Sequence, residues 1–438
     1  MGRYVNPGNE GFARIVGGEY VDKTGLVSLF DSTLNTARGL VMVSRPRRFG
    51  KSYAAQAVAA FYSCGCDSRA LFEGLEVSRR DGWGEHLNAY NVLQLDMAEI
   101  VRVSGGLDVG AEVARLVLPE LRELEPGAGS RDAGYPGELA SALYDAVRAT
   151  GRKFVFVIDE WDAPYRLAQD DRATQDAYAE WLRSLFKSNT LTPVVVAGAY
   201  MTGILPIKKY AHQSAVSDFW EYTMVDPGQY VPYVGFTEGE VEGLCVVHGL
   251  DAADARRWYD GYDLPAFRPA PDGPSHVGVY APYSVMRACE RGRTGSYWPS
   301  TETFEELRRY IDMDFDGLQA DVLRAIGGEE LRLDPATFQN DMTSIASRDD
   351  ALTLLVHLGY FCYDLDTGRA RVPNEEVRGE LRRAVGRSRH ARVARVMRDS
   401  MRLVGDVLAG DEAAVAAAIG RAHDAACAPV HYNGEQAL

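Results

Sequence analysis

Two short segments combine residue types that could hold a nucleotide and its metal ion. Residues 45–52 read Arg-Pro-Arg-Arg-Phe-Gly-Lys-Ser. They fit the phosphate-binding pattern G-x-x-x-x-G-K-[ST] except at the first position, where Arg45 stands in place of glycine. In such a loop the backbone N–H groups and the lysine contact phosphates, and the hydroxyl binds Mg²⁺. Further along, the apolar run of residues 154–158 ends in Asp159 and Glu160. This resembles the Walker B arrangement.

These patterns predict a Mg²⁺–ATP site with defined roles. Ser52 and Asp159 are predicted to hold the metal ion, and Glu160 to polarise the attacking water. The phosphates are expected to contact Arg45, Pro46, Arg47, Arg48, Phe49, Gly50, Lys51, Ser52 and Tyr53. G-K-[ST] alone is a weak signal, and an acidic strand end alone is often only solvated. The combination carries the prediction.

Four side chains near the site have two interpretations each. Thr202 contacts the γ-phosphate or the attacking water, or it is a simple turn threonine. Arg45, Arg47 and Arg48 touch phosphates or a neighbouring domain, or they face solvent. We count Lys51, Glu160 and Thr202 as the candidate catalytic residues.

Regular elements must position these residues. Apolar runs predict strands at residues 40–44, 91–97, 153–159 and 193–197. Helices are predicted between them, at residues 52–62, 107–123 and 172–189. Strands alternating with helices indicate an α/β fold with a parallel sheet and helices on both faces. The loop then lies at a helix N-terminus, whose dipole favours anions.

The chain of 438 residues is too long for one core, so two or three domains are expected. We place a nucleotide domain at residues 1–235, a helical lid at 236–345 and a winged-helix-like α+β unit at 346–438. Thr237 to Glu240 forms a capping box that opens a lid helix. Residues 265–278 are predicted to form a loop. Helix, hairpin and helix at residues 350–359, 360–372 and 374–383 predict the last unit.

Composition restricts location and partners. No apolar run approaches the roughly 18–20 residues of a membrane span, and no secretory signal opens the sequence, so a cytoplasmic location is expected. The six cysteines are expected to be reduced thiols. A net charge of −15 argues against a surface that coats nucleic acid uniformly.

The same segments resemble a prokaryotic AAA-ATPase-like family whose members often carry a C-terminal PD-(D/E)XK nuclease domain. The resemblance rests on residues 44–52 (SRPRRFGKS), 158–164 (IDEWDAP), 201–210 (MTGILPIKKY), 235–241 (GFTEGEV), 258–262 (WYDGY), 352–360 (LTLLVHLGY) and 373–378 (PNEEVR). The family loop itself carries arginine where the strict motif has glycine. The resemblance implies an AAA-like P-loop NTPase that binds ATP through Lys51 and Ser52, with Asp159 and Glu160 as its acidic pair.

The nuclease chemistry of that family is not expected in this chain. It needs a metal-binding aspartate and an acid-x-Lys pair. Lysine occurs six times, last at Lys209, and none of the six has an acid two residues before it. Residues 431–438 resemble the entrance to a nuclease domain.

Two functions from different classes stay open at this stage. One is an ATP-hydrolysing switch, slow without a partner because no arginine finger can be assigned. The other is a nucleotide-sealed scaffold or a DNA-binding regulator. Arg378–Arg398, with eight arginines and one acid, could contact nucleic acid, or it is a solvated or docked basic face. The protein partner and the oligomeric state are left open.

Overall fold

A computed structural model describes residues 2–104, 108–132, 137–168, 171–207, 218–265, 267, 276–298, 311, 315–339, 345–386, 400 and 402–426. In this part of the chain, five parallel strands form the central sheet in the order β2-β3-β4-β1-β5. They are β1 Leu40–Ser44, β2 Asn91–Asp96, β3 Phe154–Asp159, β4 Val196–Gly203 and β5 Trp220–Tyr222.

Helices cover both faces of this sheet. They are α1 Glu10–Val16, α2 Gly25–Asp31, α3 Lys51–Tyr62, α4 Arg69–Phe72, α5 Met97–Ser104, α6 Val109–Leu124, α7 Glu138–Thr150, α8 Ala163–Leu167, α9 Arg172–Phe186 and α10 Thr192–Val195. Strand alternation separates two cores. Val155 and Val157 pack with α1 to α3, whereas Phe154, Phe156 and Ile158 pack with α5, α6, α7 and α9.

The sequence placed the first three strands to within a residue but misplaced the fourth. Residues 192–195 form the helical turn α10, and β4 begins only at Val196. Pro193 suits the first turn of a helix because its fixed φ and missing N–H are tolerated there. The strand itself is rich in alanine and glycine, which give little strand signal.

A second, antiparallel sheet follows in the order β6-β8-β7. Its strands are β6 Phe236–Thr237, β7 Tyr262–Pro265 and β8 His276–Tyr280, with helices α11 Glu238–His248, α12 Ala252–Tyr259 and α13 Pro282–Arg291. The capping box at Thr237 is present at the start of α11. The region expected to be a helical lid thus contains a sheet as well. Strands β7 and β8 occupy the two ends of the predicted 265–278 loop.

A third group of elements contains the sheet β10-β11-β9. In chain order it has α14 Leu318–Ile326, β9 Leu331–Arg332, α15 Arg348–His357, β10 Cys362–Asp364, β11 Arg369–Arg371 and α16 Glu375–Gly386, and α17 Glu412–Ala426 comes after it. Strand β9 precedes residue 346, so this sheet crosses the boundary drawn from the sequence. The winged-helix assignment stays a prediction.

Short 3-10 helices lie at Glu76–Arg79, Ser130–Asp132, Gly228–Tyr233, Phe315–Gly317 and Pro335–Thr337. Residues 387–398 of the arginine run and residues 431–438 lie outside the described residues. Within the described part, no helix has the length and apolar character to cross a membrane.

Candidate nucleotide site

The sheet brings the two predicted segments to one edge. Strand β4 lies between β1 and β3, and all three run in the same direction. The loop after β1 and the acidic pair that ends β3 therefore meet at the carboxyl edge, on either side of β4. In open parallel sheets this edge is where ligands bind.

The phosphate-binding loop follows β1 directly and ends where α3 begins at Lys51. Arg48 and Gly50 both adopt left-handed backbone conformations, with φ of 70° and 86°. A Cβ atom at Gly50 would contact nothing within 4 Å, so backbone conformation alone favours glycine there. The turn leaves the N-terminus of α3 open to the cleft, as an anion site requires.

Lys51 is buried, and its ammonium is held by the loop itself. Its Nζ donates to the carbonyl oxygens of Arg45 and Pro46 at 3.0 and 2.8 Å. Burial lowers the pKa of Lys51 to about 8, against the opposing effect of the carboxylates of Asp159, Asp162 and Glu160. A buried cation with a lowered pKa is suited to an anionic ligand that restores its charge.

The guanidinium of Arg45 lies away from the loop. It is fully buried, and its NH1 donates to the carbonyl oxygens of Ser44, Tyr222 and Thr223 at 2.8, 3.2 and 3.1 Å. Burial lowers the pKa of Arg45 to about 10. The side chain therefore joins β1 to β5. The expectation that it touches phosphate does not agree with this geometry, and only the backbone carbonyl of Arg45 contacts Lys51.

Other loop side chains contact the elements after residue 235. The guanidinium of Arg48 lies over the ring of Tyr283 on α13, 4.3 Å from its centroid. Phe49 is buried and packs against Tyr262. Pro46 lies close to Gly359, since a Cβ atom added at position 359 would be only 2.8 Å from the Pro46 side chain. For Arg48, the neighbouring-domain interpretation fits these contacts.

Asp159 and Thr202 are joined directly. The Thr202 hydroxyl and the backbone N–H of Glu160 both donate to Oδ1 of Asp159, the latter at 3.0 Å. Oδ2 accepts no hydrogen bond from a described residue, and Asp159 is only 8% exposed. Thr202 lies within β4 and is fully buried, so it is not a turn residue. In this structure its hydroxyl orients the Asp159 carboxylate.

Glu160 is held by residues that the sequence reasoning missed. Its Oε2 accepts from NH2 of Arg166 at 2.8 Å, and Nε of Arg166 donates to Oδ2 of Asp162 at 3.0 Å. Burial would lower the pKa of Arg166, but Asp162 and Glu160 hold it above its ordinary value. Only the four-residue spacing of Asp162 and Arg166 hinted at a pair on one helical face.

One more carboxylate, that of Asp96, lies at the same edge. Asp96 ends β2 directly opposite Asp159 on β3. Partial burial, with Asp159 and Glu160 nearby, raises the pKa of Asp96. In the sequence, Asp96 was marked by the largely apolar segment of β2, which ends in this acid.

A cleft of about 1110 Å³ lies against the phosphate-binding loop, Glu160 and Arg166. Its central wall includes Arg47, Gly50, Lys51, Ser52, Tyr53, Glu160 and Arg166. The N-terminal segment adds Ile15, Tyr20 and Lys23, and α13 adds Tyr283, Met286 and Arg287. The volume is large enough for a nucleotide, and cationic side chains outnumber carboxylates around it.

The loop after β1, the acidic pair that ends β3 and the strand between them define a P-loop NTPase of the class with an additional central strand. Residues 8–211 match the model of a family described as "Predicted AAA-ATPase". This part of the chain therefore matches that AAA-ATPase-like family, which confirms the resemblance seen in the sequence.

Comparison with solved structures gave weak similarity. The Walker-type ATPase PABY2304 of Pyrococcus abyssi is 14% identical with a TM-score of 0.38, over 82% of this chain and 94% of that chain. The ORC2 protein of Aeropyrum pernix, in ADPNP–ADP complexes, is 11% identical with a TM-score of 0.37, over 87% and 98%. No curated protein matches the chain.

Proposed function

We propose that this protein binds Mg²⁺–ATP and hydrolyses it, and that the bound nucleotide switches the arrangement of the elements after residue 235. The observation that carries the proposal is the meeting of Lys51, Asp159 and Glu160 at the carboxyl edge of the sheet, where Lys51 and Glu160 line one cleft. The three carboxylates near Lys51 act on its charge, so the cation and the acids share one electrostatic environment.

The phosphates bind at the start of α3. Backbone N–H groups of the loop and the Lys51 ammonium contact them, which replaces the two carbonyl oxygens that Lys51 contacts in the free protein. This exchange gives the buried ammonium an anionic partner.

The residues present fit Mg²⁺. Ser52 is exposed on the first turn of α3, and Oδ2 of Asp159 has no donor among the described residues. Hydroxyl and carboxylate oxygens are the ligands that Mg²⁺ prefers. When bound, the ion neutralises charge on the β- and γ-phosphates.

Glu160 accepts the proton of the attacking water. The water oxygen bonds to the γ-phosphorus, the bond to the β–γ bridging oxygen breaks, and ADP leaves with that electron pair. Thr202 holds the neighbouring carboxylate of Asp159 in place during this step.

A switch needs contact between the site and the rest of the chain. Arg48 and Phe49 supply it through Tyr283 and Tyr262. A direct role in binding nucleic acid has less support. Within the described part of the arginine run, Arg378 and Arg383 are already paired with Glu375 and Glu380.

The test is phosphate release from Mg²⁺–ATP by the wild type, Lys51→Ala and Glu160→Gln, with nucleotide binding measured in parallel. We expect wild-type turnover, loss of binding in Lys51→Ala, and binding without turnover in Glu160→Gln. Binding without turnover in the wild type would favour the nucleotide-sealed scaffold. No binding at all would refute the proposal.

A further inference from the structure

Behind the acidic pair, a buried network connects Glu160 to the chain that follows β4. Asp162 is fully buried, and its Oδ2 accepts from the backbone N–H groups of Ile204 and Leu205 at 3.1 and 3.0 Å. The same oxygen accepts from Nε of Arg166, whose NH2 reaches Oε2 of Glu160. The position of the Glu160 carboxylate is thus set from the end of the neighbouring strand.

We propose that Arg166 is the positioning residue for Glu160. It holds Oε2 and leaves Oε1 as the oxygen that accepts a proton from the attacking water. The inference rests on the proposed function, in which Glu160 takes that proton.

The geometry of Glu160 explains why it needs such a partner. Its backbone is left-handed, with φ of 51°, and its side chain is 37% exposed. A long side chain exposed to that extent samples several rotamers unless a partner fixes it. Among the described residues, only Arg166 is hydrogen-bonded to its carboxylate.

Magnitudes separate positioning from stabilisation. A salt bridge to a partly exposed carboxylate contributes little to folding, because water screens the attraction. The buried Asp162 carboxylate already accepts hydrogen bonds from two backbone N–H groups and from Nε of Arg166. The NH2 group of Arg166, which contacts Glu160, therefore adds little to the stability of buried Asp162. Misplacement of a reacting group by about 1 Å, in contrast, can lower a rate about 100-fold. The hydrogen bond from NH2 of Arg166 to Glu160 therefore matters more for the rate of hydrolysis than for the stability of the fold.

The test compares wild type with Arg166→Lys, which keeps a cation but cannot hold two carboxylates in the same forked geometry. We expect kcat to fall about 10- to 100-fold with the nucleotide Kd within about twofold of wild type. Arg183→Lys, which alters a surface pair with Glu180, is the matched control and should change neither.

Two further measurements keep the inference open to refutation. If Arg166→Lys has a lowered Tm, the same measurements are repeated on Arg166→Gln. In addition, the double variant Arg166→Lys/Glu160→Gln should hydrolyse ATP no more slowly than Glu160→Gln alone, because both changes act on the same step. Wild-type kcat in either Arg166 variant would overturn the role of Arg166 while leaving the ATPase proposal intact. Nucleotide binding without turnover in the wild type would overturn both.

Discussion

The ring of Phe49 meets the ring of Tyr262 edge-on, with centroids 5.2 Å apart and planes at 87°. Phe49 belongs to the phosphate-binding loop, and Tyr262 begins β7 of the second sheet. The Tyr262 hydroxyl donates to the carbonyl oxygen of Gly359, between α15 and β10, at 2.6 Å. Two buried side chains therefore connect the nucleotide loop to the third group of elements.

Tyr262→Phe should weaken the response of that third group to nucleotide. The ring contact with Phe49 stays, but the carbonyl of Gly359 loses its donor, which lowers stability by about 1–3 kcal/mol. Hydrogen exchange of residues 348–371, with and without nucleotide, measures the response. We expect nucleotide to change the exchange rates in wild type and to change them less in the variant.

Tyr259→Phe is the matched control for this prediction. The Tyr259 hydroxyl also donates to a backbone carbonyl, that of Gly295 at 2.9 Å, and it accepts from the N–H of the same residue at 2.9 Å. No residue of the phosphate-binding loop contacts it among the hydrogen bonds described. It should lose comparable stability and keep the wild-type response. An equal response in wild type and Tyr262→Phe would show that nucleotide binding does not affect the third group of elements through this contact.

Nucleotide binding should take up a proton at alkaline pH because of Lys51. In the free protein, burial lowers the pKa of Lys51 to about 8. Phosphate favours the charged amine and raises that pKa. Well below pH 8 the amine is almost fully protonated, so little uptake occurs. Near pH 9 we expect uptake approaching about one proton per nucleotide.

Calorimetric titration in two buffers of different ionisation enthalpy measures this uptake. Affinity should also fall as pH rises from about 8 towards 10.5, because the free protein must then be protonated at an energetic cost. Lys51→Met removes the titrating group, so any residual binding should show no such uptake. Equal proton uptake in wild type and Lys51→Met would contradict the assignment.

The site could be predicted from the sequence because each of its two segments is short and continuous in the chain. A loop between an apolar strand and a helix, and a carboxylate pair that ends another apolar strand, can each be recognised from a few neighbouring residues. Their meeting at one edge follows from the parallel sheet. Even Thr202 was placed near the site, although the start of its strand was wrong.

What the sequence could not reveal depends on the path of the chain in space. Arg166 contacts Glu160 only because the turn after β3 folds back through α8. The direction of the Arg45 side chain depends on β5, a three-residue edge strand with little pattern of its own. The contact of Phe49 with Tyr262 joins residues far apart in the chain, and no local periodicity encodes it.

Arg45→Gly should not improve the nucleotide site, although it restores the strict loop motif. It removes a fully buried side chain and its three hydrogen bonds to the carbonyls of Ser44, Tyr222 and Thr223. We expect a loss of about 2–4 kcal/mol in the free energy of unfolding, measured by urea denaturation. Nucleotide affinity should be no tighter than in wild type.

Arg45→Met separates the two contributions, since it keeps much of the side-chain volume and removes the donors. Its stability should fall between those of wild type and Arg45→Gly. Tighter nucleotide binding by Arg45→Gly without loss of stability would mean that the arginine serves the phosphates after all.

Glu376 should make stability fall as pH rises towards neutrality. It lies in the first turn of α16, and its Oε1 accepts from the N–H groups of Tyr297 and Trp298 at 2.5 and 2.7 Å. Burial raises the pKa of Glu376 to about 7, although hydrogen bonds from Ser284, Tyr297 and Trp298 oppose the shift and the nearby Glu380 adds to it. Between about pH 4.5 and 7 the folded state therefore binds more protons than the unfolded one. The stability due to this group is complete below pH 4.5 and lost as pH rises through 7.

Glu376→Gln keeps the oxygen that accepts these bonds and removes the charge. At pH 5 its free energy of unfolding should be close to that of wild type, because the glutamate is then protonated in the folded state. At pH 8.5 the variant should be more stable, by on the order of 1–3 kcal/mol. Urea denaturation across this range measures the difference, and Glu375→Gln, which alters only the pair with Arg378, is the control. Parallel stability–pH curves for wild type and Glu376→Gln would show that Glu376 does not titrate in this range.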